Sequence, residues 1–400
     1  MVLRARNPHR TIPPTLTANA KMYLDHNAGG RIRAEVADAI TDWLQQPVAN
    51  PSSLHGAGRK ARDAMEEARD EVAGLLRAAP GEIVFTGSGS EANSLAILGV
   101  ARAGDILCST PIEHASVLGS LQAAEKLGAS INWLPMDAHG RVFADDVASA
   151  SRGARLLSLG WGNGETGILQ PLAEVAAALQ ALSAADRPLL HTDAVQVVGC
   201  EEIDVGALPV DLLTLSGHKL GAPSGVGALF VRRDLSLTPQ VHGGPQERER
   251  RAGTENLLGI IGFGVAAKLA RQDREARVAR LHDLRERLWD HLAAECQPLV
   301  RYGAEPSLPG TLSVGFTGLR GDALLVALDA AGVAASNGSA CAAGAPEPSH
   351  VLRALGHDDD AARSVLRFSL GSDLDEDAID RAGAAIAQVV AGARRRGAQA

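Results

Sequence analysis

Apolar positions along the chain switch between two spacings. Ala61, Ala64, Met65, Ala68, Val72, Leu75 and Leu76 recur at helical intervals with charges between them, which predicts an amphipathic helix. Seven short apolar runs follow, at 83–86, 106–108, 131–134, 156–159, 189–191, 212–215 and 226–231. Each has the length of a strand, and helix-like stretches separate most of them, the pattern of a sheet wound with helices in an α/β fold. After Thr254 a long stripe carrying Val278, Leu281, Leu284, Leu288 and Leu292 continues through an Arg/Glu-rich face, predicting a helix that connects to a second domain. The last hundred or so residues mix strands at 312–316 and 365–370 with helices at 323–330 and 378–390, a small α+β lobe. The expected division is a large domain over 34–265, a small one built from 22–33 and 266–400, and a disordered basic extension over 1–21.

Composition narrows the picture. The chain has 400 residues, more than one core usually absorbs, and its 46% hydrophobic and 22% charged content is that of a soluble globular protein. No apolar stretch approaches the roughly 18 residues of a spanning helix, so no membrane association is expected. Net charge is −8, and the first 21 residues hold Arg4, Arg6, Arg10 and Lys21 without an acid, leaving a body still more acidic. That argues against nucleic-acid binding, which draws on cations to neutralise phosphates. Arg394, Arg395 and Arg396 read as a solvated basic tail. Cys108, Cys200, Cys296 and Cys341 are too dispersed for a metal cluster or a disulfide framework and suit a reducing, cytoplasmic compartment.

Three segments carry possible chemistry. Thr86-Gly87-Ser88-Gly89-Ser90-Glu91-Ala92-Asn93 follows a strand and opens a helix, where free N–H groups and the helix dipole attract an anion such as a phosphate. The same segment reads as a relaxed dinucleotide fingerprint or as a serine-capped turn. Lysine is scarce here, confined to Lys21, Lys60, Lys126, Lys219 and Lys268. Lys219 follows a buried-looking strand within Ser216-Gly217-His218-Lys219, where wound sheets bind ligands, and a desolvated lysine there suits a Schiff base. The alternative is an exposed loop lysine. Asp193 ends another apolar strand, with Gln196 three residues on; an acid so placed can pair with a pyridinium nitrogen or cap a turn. Together, the phosphate turn, the strand-end lysine and the acid favour pyridoxal 5'-phosphate over a nicotinamide. Finally, Ser336-Asn337-Gly338-Ser339-Ala340-Cys341-Ala342-Ala343-Gly344 has the composition of an exposed loop, making Cys341 the candidate nucleophile. Cys108, inside an apolar run, reads as core packing.

Taken together the motifs resemble the cysteine desulfurases, pyridoxal phosphate enzymes of the class V aminotransferase superfamily. The resemblance runs from about Tyr23 to Val390. It is carried by Tyr23-Leu24-Asp25-His26-Asn27-Ala28, Asn50-Pro51-Ser52-Ser53-Leu54-His55, residues 82–93, Ile112-Glu113-His114, Asp193-Ala194-Val195-Gln196, residues 216–219, Arg251-Ala252-Gly253-Thr254-Glu255-Asn256, the Cys341 loop, Glu347-Pro348-Ser349-His350 and Leu366-Arg367-Phe368-Ser369. The longer cysteine loop resembles the housekeeping iron–sulfur branch.

The resemblance implies a type I fold with a mainly parallel seven-stranded sheet, L-cysteine as substrate and alanine as product. It also implies a homodimer that hands sulfur to an acceptor or scaffold protein for iron–sulfur clusters or tRNA thiolation. It implies catalytic roles for Lys219, Cys341 and His114. Gly89, Ser90, Ser216 and His218 would hold the phosphate, with Thr254 reaching that of the neighbouring subunit, while Asp193, Gln196 and His114 would contact the ring. Asn27, Asn163 and Arg367 would face the substrate, Arg367 gripping its carboxylate. Two departures fall near the substrate: Gly164 stands where the family has a second asparagine, and Gly29-Gly30-Arg31 where it has Thr-Thr-Pro. They keep open a selenocysteine lyase, an aminotransferase-like relative or a weakly active paralogue.

Overall fold

The structure is a computed structural model that describes residues 22–47, 49–337 and 348–397. After the two-residue strand β1 (Met22–Tyr23) come the seven expected strands: β2 (Ile83–Thr86), β3 (Ile106–Ser109), β4 (Ser130–Trp133), β5 (Leu156–Ser158), β6 (Leu189–Asp193), β7 (Leu212–Ser216) and β8 (Gly227–Val231). They form one sheet in the order β2-β8-β7-β6-β5-β3-β4, with only β8 antiparallel to its neighbours. The expected wound, mainly parallel sheet is therefore present. Its central strands read as unbroken apolar runs because both faces are covered. Phe85, Leu213, Leu215 and Phe230 pack on one side with the helices Gly56–Leu76 and Leu257–Glu295, and Val84, Leu107, Leu212 and Leu229 pack on the other with Gly89–Leu98 and Ala115–Lys126.

A second core lies beyond. β9 (Leu299–Tyr302), β10 (Thr311–Phe316) and β12 (Val365–Ser369) form an antiparallel sheet with β10 in the middle, and the helices Gly321–Ala330 and Glu376–Gly397 cover it. The 39-residue helix Leu257–Glu295 joins the two cores. Leu257, Ile260 and Phe263 belong to the first core, whereas Leu281, Leu284, Leu288 and Leu292 belong to the second. Between them its arginines are held by ion pairs, Arg271 with Glu71 at 3.1 Å and Arg274 with Glu202 at 3.2 Å.

Two further contacts concern the chain's ends, and the second departs from the sequence reading. β1 pairs in parallel with β11 (Val333–Ala334), so the segment from Met22 is stitched to the second core before it crosses to the first. The basic end is no bare tail: Arg394 donates to the carbonyls of Cys296 and Pro298, both at 3.0 Å, and of Thr317 at 3.1 Å. Cys108 is fully buried, as its apolar setting suggests, and burial raises its thiol to about 11.

One ion pair is sealed inside the large core. Arg69, on the helix Gly56–Leu76, grips both oxygens of Glu247 at 2.8 Å, and Glu247 also accepts the Phe85 amide at 2.8 Å. Glu247 begins a run of left-handed residues, with φ of 47° there, 57° at Arg248 and 63° at Glu249, which costs energy outside glycine. The buried pair holds that run in place. Arg69→Met strands the Glu247 charge and is expected to cost about 3–5 kcal/mol, read as an earlier midpoint in chemical denaturation. A loss within the roughly 1 kcal/mol of an exposed pair would contradict this account.

Candidate active site

The carboxyl ends of β6 and β7 open on a cleft of about 350 Å³, where a wound sheet leaves room for ligands. Asp193 is the last residue of β6. Its Oδ1 accepts the Val195 amide at 3.0 Å and its Oδ2 accepts Asn93 Nδ2 at 2.7 Å, so both oxygens are aimed. Lys219 lies in the tight turn Gly217–Lys219 that follows β7, and its Nζ donates to the Asn27 carbonyl. Below Asp193, His191 is buried between Ser158 Oγ at 2.9 Å and Thr214 Oγ1 at 3.1 Å. Burial lowers its pKa to about 4, outweighing the Asp193 charge, and leaves the imidazole neutral near pH 7.

A helix start forms the second wall. Ser88 caps the helix Gly89–Leu98 by accepting the Glu91 amide at 3.1 Å, and Glu91 reaches back to the Gly87 amide at 2.8 Å. Gly89 has no room for a side chain: a Cβ there would stand 3.0 Å from Val195 and 3.2 Å from Ser216. Gly89 and Ser90 thus present backbone to the cleft beside Ser216, whose hydroxyl pairs with His218 Nδ1 at 2.8 Å. Burial, then the Lys219 charge, pushes His218 down to about 4, so it too is neutral.

His114 caps the next helix, with Nδ1 against the Ser116 hydroxyl at 2.7 Å. Its neighbour Glu113 is buried, and that burial raises the carboxyl to about 7 even though the Thr110 hydroxyl and the Gly160 amide donate to it. Opposite stands Arg367 on β12, whose Nη1 donates to the Gly164 carbonyl at 2.9 Å and whose Nη2 meets Asp25 at 2.7 Å. Asn27 donates to the same carbonyl at 3.0 Å. Asn163 holds its own turn, accepting the amides of Glu165 and Thr166 at 2.9 Å. A Cβ on Gly164 would come within 2.9 Å of Gln196 Nε2, so Gln196 fills the space this glycine leaves.

The cleft therefore brings together Asn27, Gly89, Ser90, His114, Asn163, Asp193, Gln196, Ser216, His218, Lys219 and Arg367. Thr254 is exposed and outside it, and Cys341 lies outside the described residues. Sequence reasoning overlooked Asn93, one helical turn after Gly89, whose polarity on a buried face was an available signal. It also gave no site role to His350, quoted only within Glu347-Pro348-Ser349-His350, whose Nε2 pairs with the Glu113 carbonyl across 237 positions.

This donor set fits pyridoxal phosphate. A side-chain-free helix start with nearby hydroxyls suits a dianion, an oriented carboxylate suits a pyridinium, and a primary amine lines the same cleft. Asn93 Oδ1 is buried without a hydrogen-bond partner among the described residues, a polar position at the cleft floor still to be satisfied.

The aminotransferase class-V family matches residues 22–382. The chain is 39% identical to the cysteine desulfurase IscS of Dictyoglomus turgidum, over 88% of this chain and 90% of that one. A solved structure titled NifS-like protein superimposes with a TM-score of 0.85 at 30% identity, covering 93% of this chain and all of that one. Another, titled SspA in complex with cysteine, has a TM-score of 0.76 at 32% identity, covering 88% and 99%. Fold, cleft and likeness agree: the chain belongs to the class-V aminotransferase family, on its branch of IscS- and NifS-like cysteine desulfurases.

Proposed function

We propose that this chain is a pyridoxal-phosphate-dependent cysteine desulfurase that converts L-cysteine to L-alanine and takes the sulfur onto Cys341. One observation carries the reading: Lys219, Asp193, the bare helix start at Gly89 and the guanidinium of Arg367 all face a single cleft. The cysteine bound to a solved relative supports the substrate.

Bound in the cleft, pyridoxal phosphate supplies an electron sink for the pair left when the amino acid loses its α-proton. The remaining work falls to the protein. The Gly89 and Ser90 amides, with Ser216 and His218, hold the phosphate, and a neutral His218 can donate or accept there. Asp193 keeps a proton on the ring nitrogen, and its two fixed contacts prevent it from turning away. Gln196 serves the phenolic oxygen from the space beside Gly164, where the family has an asparagine. His114 would contact the ring, Lys219 would move the α-proton, and Arg367 would grip the substrate carboxylate, with Asn27 and Asn163 lining the same cleft. The Cys341 thiolate then bonds to the substrate sulfur as the carbon–sulfur bond breaks, leaving a persulfide on Cys341 and, after proton return, alanine. Thr254, exposed and outside its own cleft, is assigned to the phosphate of the second subunit in a homodimer. The persulfide passes to an acceptor or scaffold protein in the cytoplasm; no described helix is long and apolar enough to cross a membrane.

Two variants separate cofactor from sulfur chemistry. Lys219→Ala is expected to lose the visible absorbance band of the purified protein and about a thousandfold or more of its turnover; a normal band would contradict the assigned attachment. Cys341→Ala should keep that band while alanine and sulfide formation from cysteine drop to background. Retained turnover would instead point to an enzyme that releases sulfur, selenium or an amino group without a protein thiol.

A further inference from the structure

Arg367 is buried, its side chain only 4% exposed, and a guanidinium so placed needs a counter-charge. Asp25 supplies it through Oδ1, 2.7 Å from Nη2. Asp25 is itself fixed by backbone. It bridges Ser369, two residues beyond Arg367 on β12, while the Tyr23 hydroxyl donates to the carbonyls of Asp25 at 3.0 Å and Gly29 at 2.7 Å. With Nη1 on the Gly164 carbonyl, the planar fork is held at two corners by groups that do not belong to any substrate.

A counter-ion that orients a cation also weakens what the cation offers to a second anion, because the incoming carboxylate meets an ion pair rather than a bare charge. We propose that Asp25 is a positioning residue that aims the Arg367 fork into the cleft and lowers its affinity for the α-carboxylate of a bound amino acid. The consequence falls on release. Alanine carries the same carboxylate as cysteine, so a clamp of full strength would retain the product. This inference rests on the assignment of Arg367 as the carboxylate clamp.

The test titrates the pyridoxal phosphate holoenzyme with L-alanine and with L-alaninamide, which lacks the carboxylate, following the change in visible absorbance. Asp25→Asn keeps an acceptor oxygen of the same reach but removes the charge. It is expected to bind alanine about tenfold more tightly and alaninamide within about twofold of wild type. Unchanged or weaker alanine binding, or an equal change for both ligands, would overturn the proposal. Should Asp25→Asn fail to fold or to load cofactor, Asp25→Ser carries the same expectation; if neither folds, Asp25 is a structural counter-ion and the proposal falls. Arg367→Met tests the underlying assignment separately. It should weaken alanine about tenfold or more and spare alaninamide, and if alanine binding is unaffected the clamp assignment fails whatever Asp25 does.

Discussion

The anion site and the lysine of the cleft are brought together by one antiparallel strand in an otherwise parallel sheet. β8 pairs on one side with β2, matching Gly227 to Thr86, and on the other with β7, matching Gly227 to Ser216. The segments that begin after Thr86 and at Ser216 therefore leave the sheet at the same level, and these are the helix start at Gly89 and the turn bearing Lys219. Gly227 has to be glycine, since a Cβ there would lie 2.5 Å from the Ser88 backbone. The parallel register of β6 and β7, which sets Asp193 against Thr214, brings the acid to the same edge. Backbone pairing thus delivers an anion site, an amine and a carboxylate together before any side chain has chosen a rotamer.

Around that edge the cations have partners and two buried imidazoles, His191 and His218, are kept neutral. Arg367 has Asp25, and Lys219 rests on a carbonyl. His191 and His218, both pushed down to about 4, add hydrogen bonds without adding charge. A desolvated cleft tolerates ions only when each is compensated, so the net field experienced by a zwitterionic amino acid is set by a few named groups. The second core contributes too: β12 carries Arg367, and the segment that follows β1 brings Asp25 and Asn27 across to meet it.

Much of this was legible in the chain. The seven sheet strands were visible because burial on both faces writes them as unbroken apolar runs, and Lys219 and Asp193 stood out because each ends such a run. The two-residue strands β1 and β11 are too short to show any period. Contacts between distant residues left no trace: Asp25 and Arg367 are separated by 342 positions, and Glu113 is tied to Gly160 and His350 by bonds that no local spacing foretells. Nor could Gly164 be interpreted until Gln196 was seen filling the space beside it. Arg367 as a substrate clamp and Thr254 as a contact to a second subunit came from family resemblance alone.

The cleft is assigned a sulfur path from cysteine to Cys341. Its most direct test is the intact mass of the holoenzyme, with peptide mapping, after brief exposure to L-cysteine without reductant and removal of free substrate. One added sulfur atom per chain is expected, located on the peptide containing Cys341 and removed by reductant. A protein that forms alanine while every cysteine peptide keeps its original mass would contradict it.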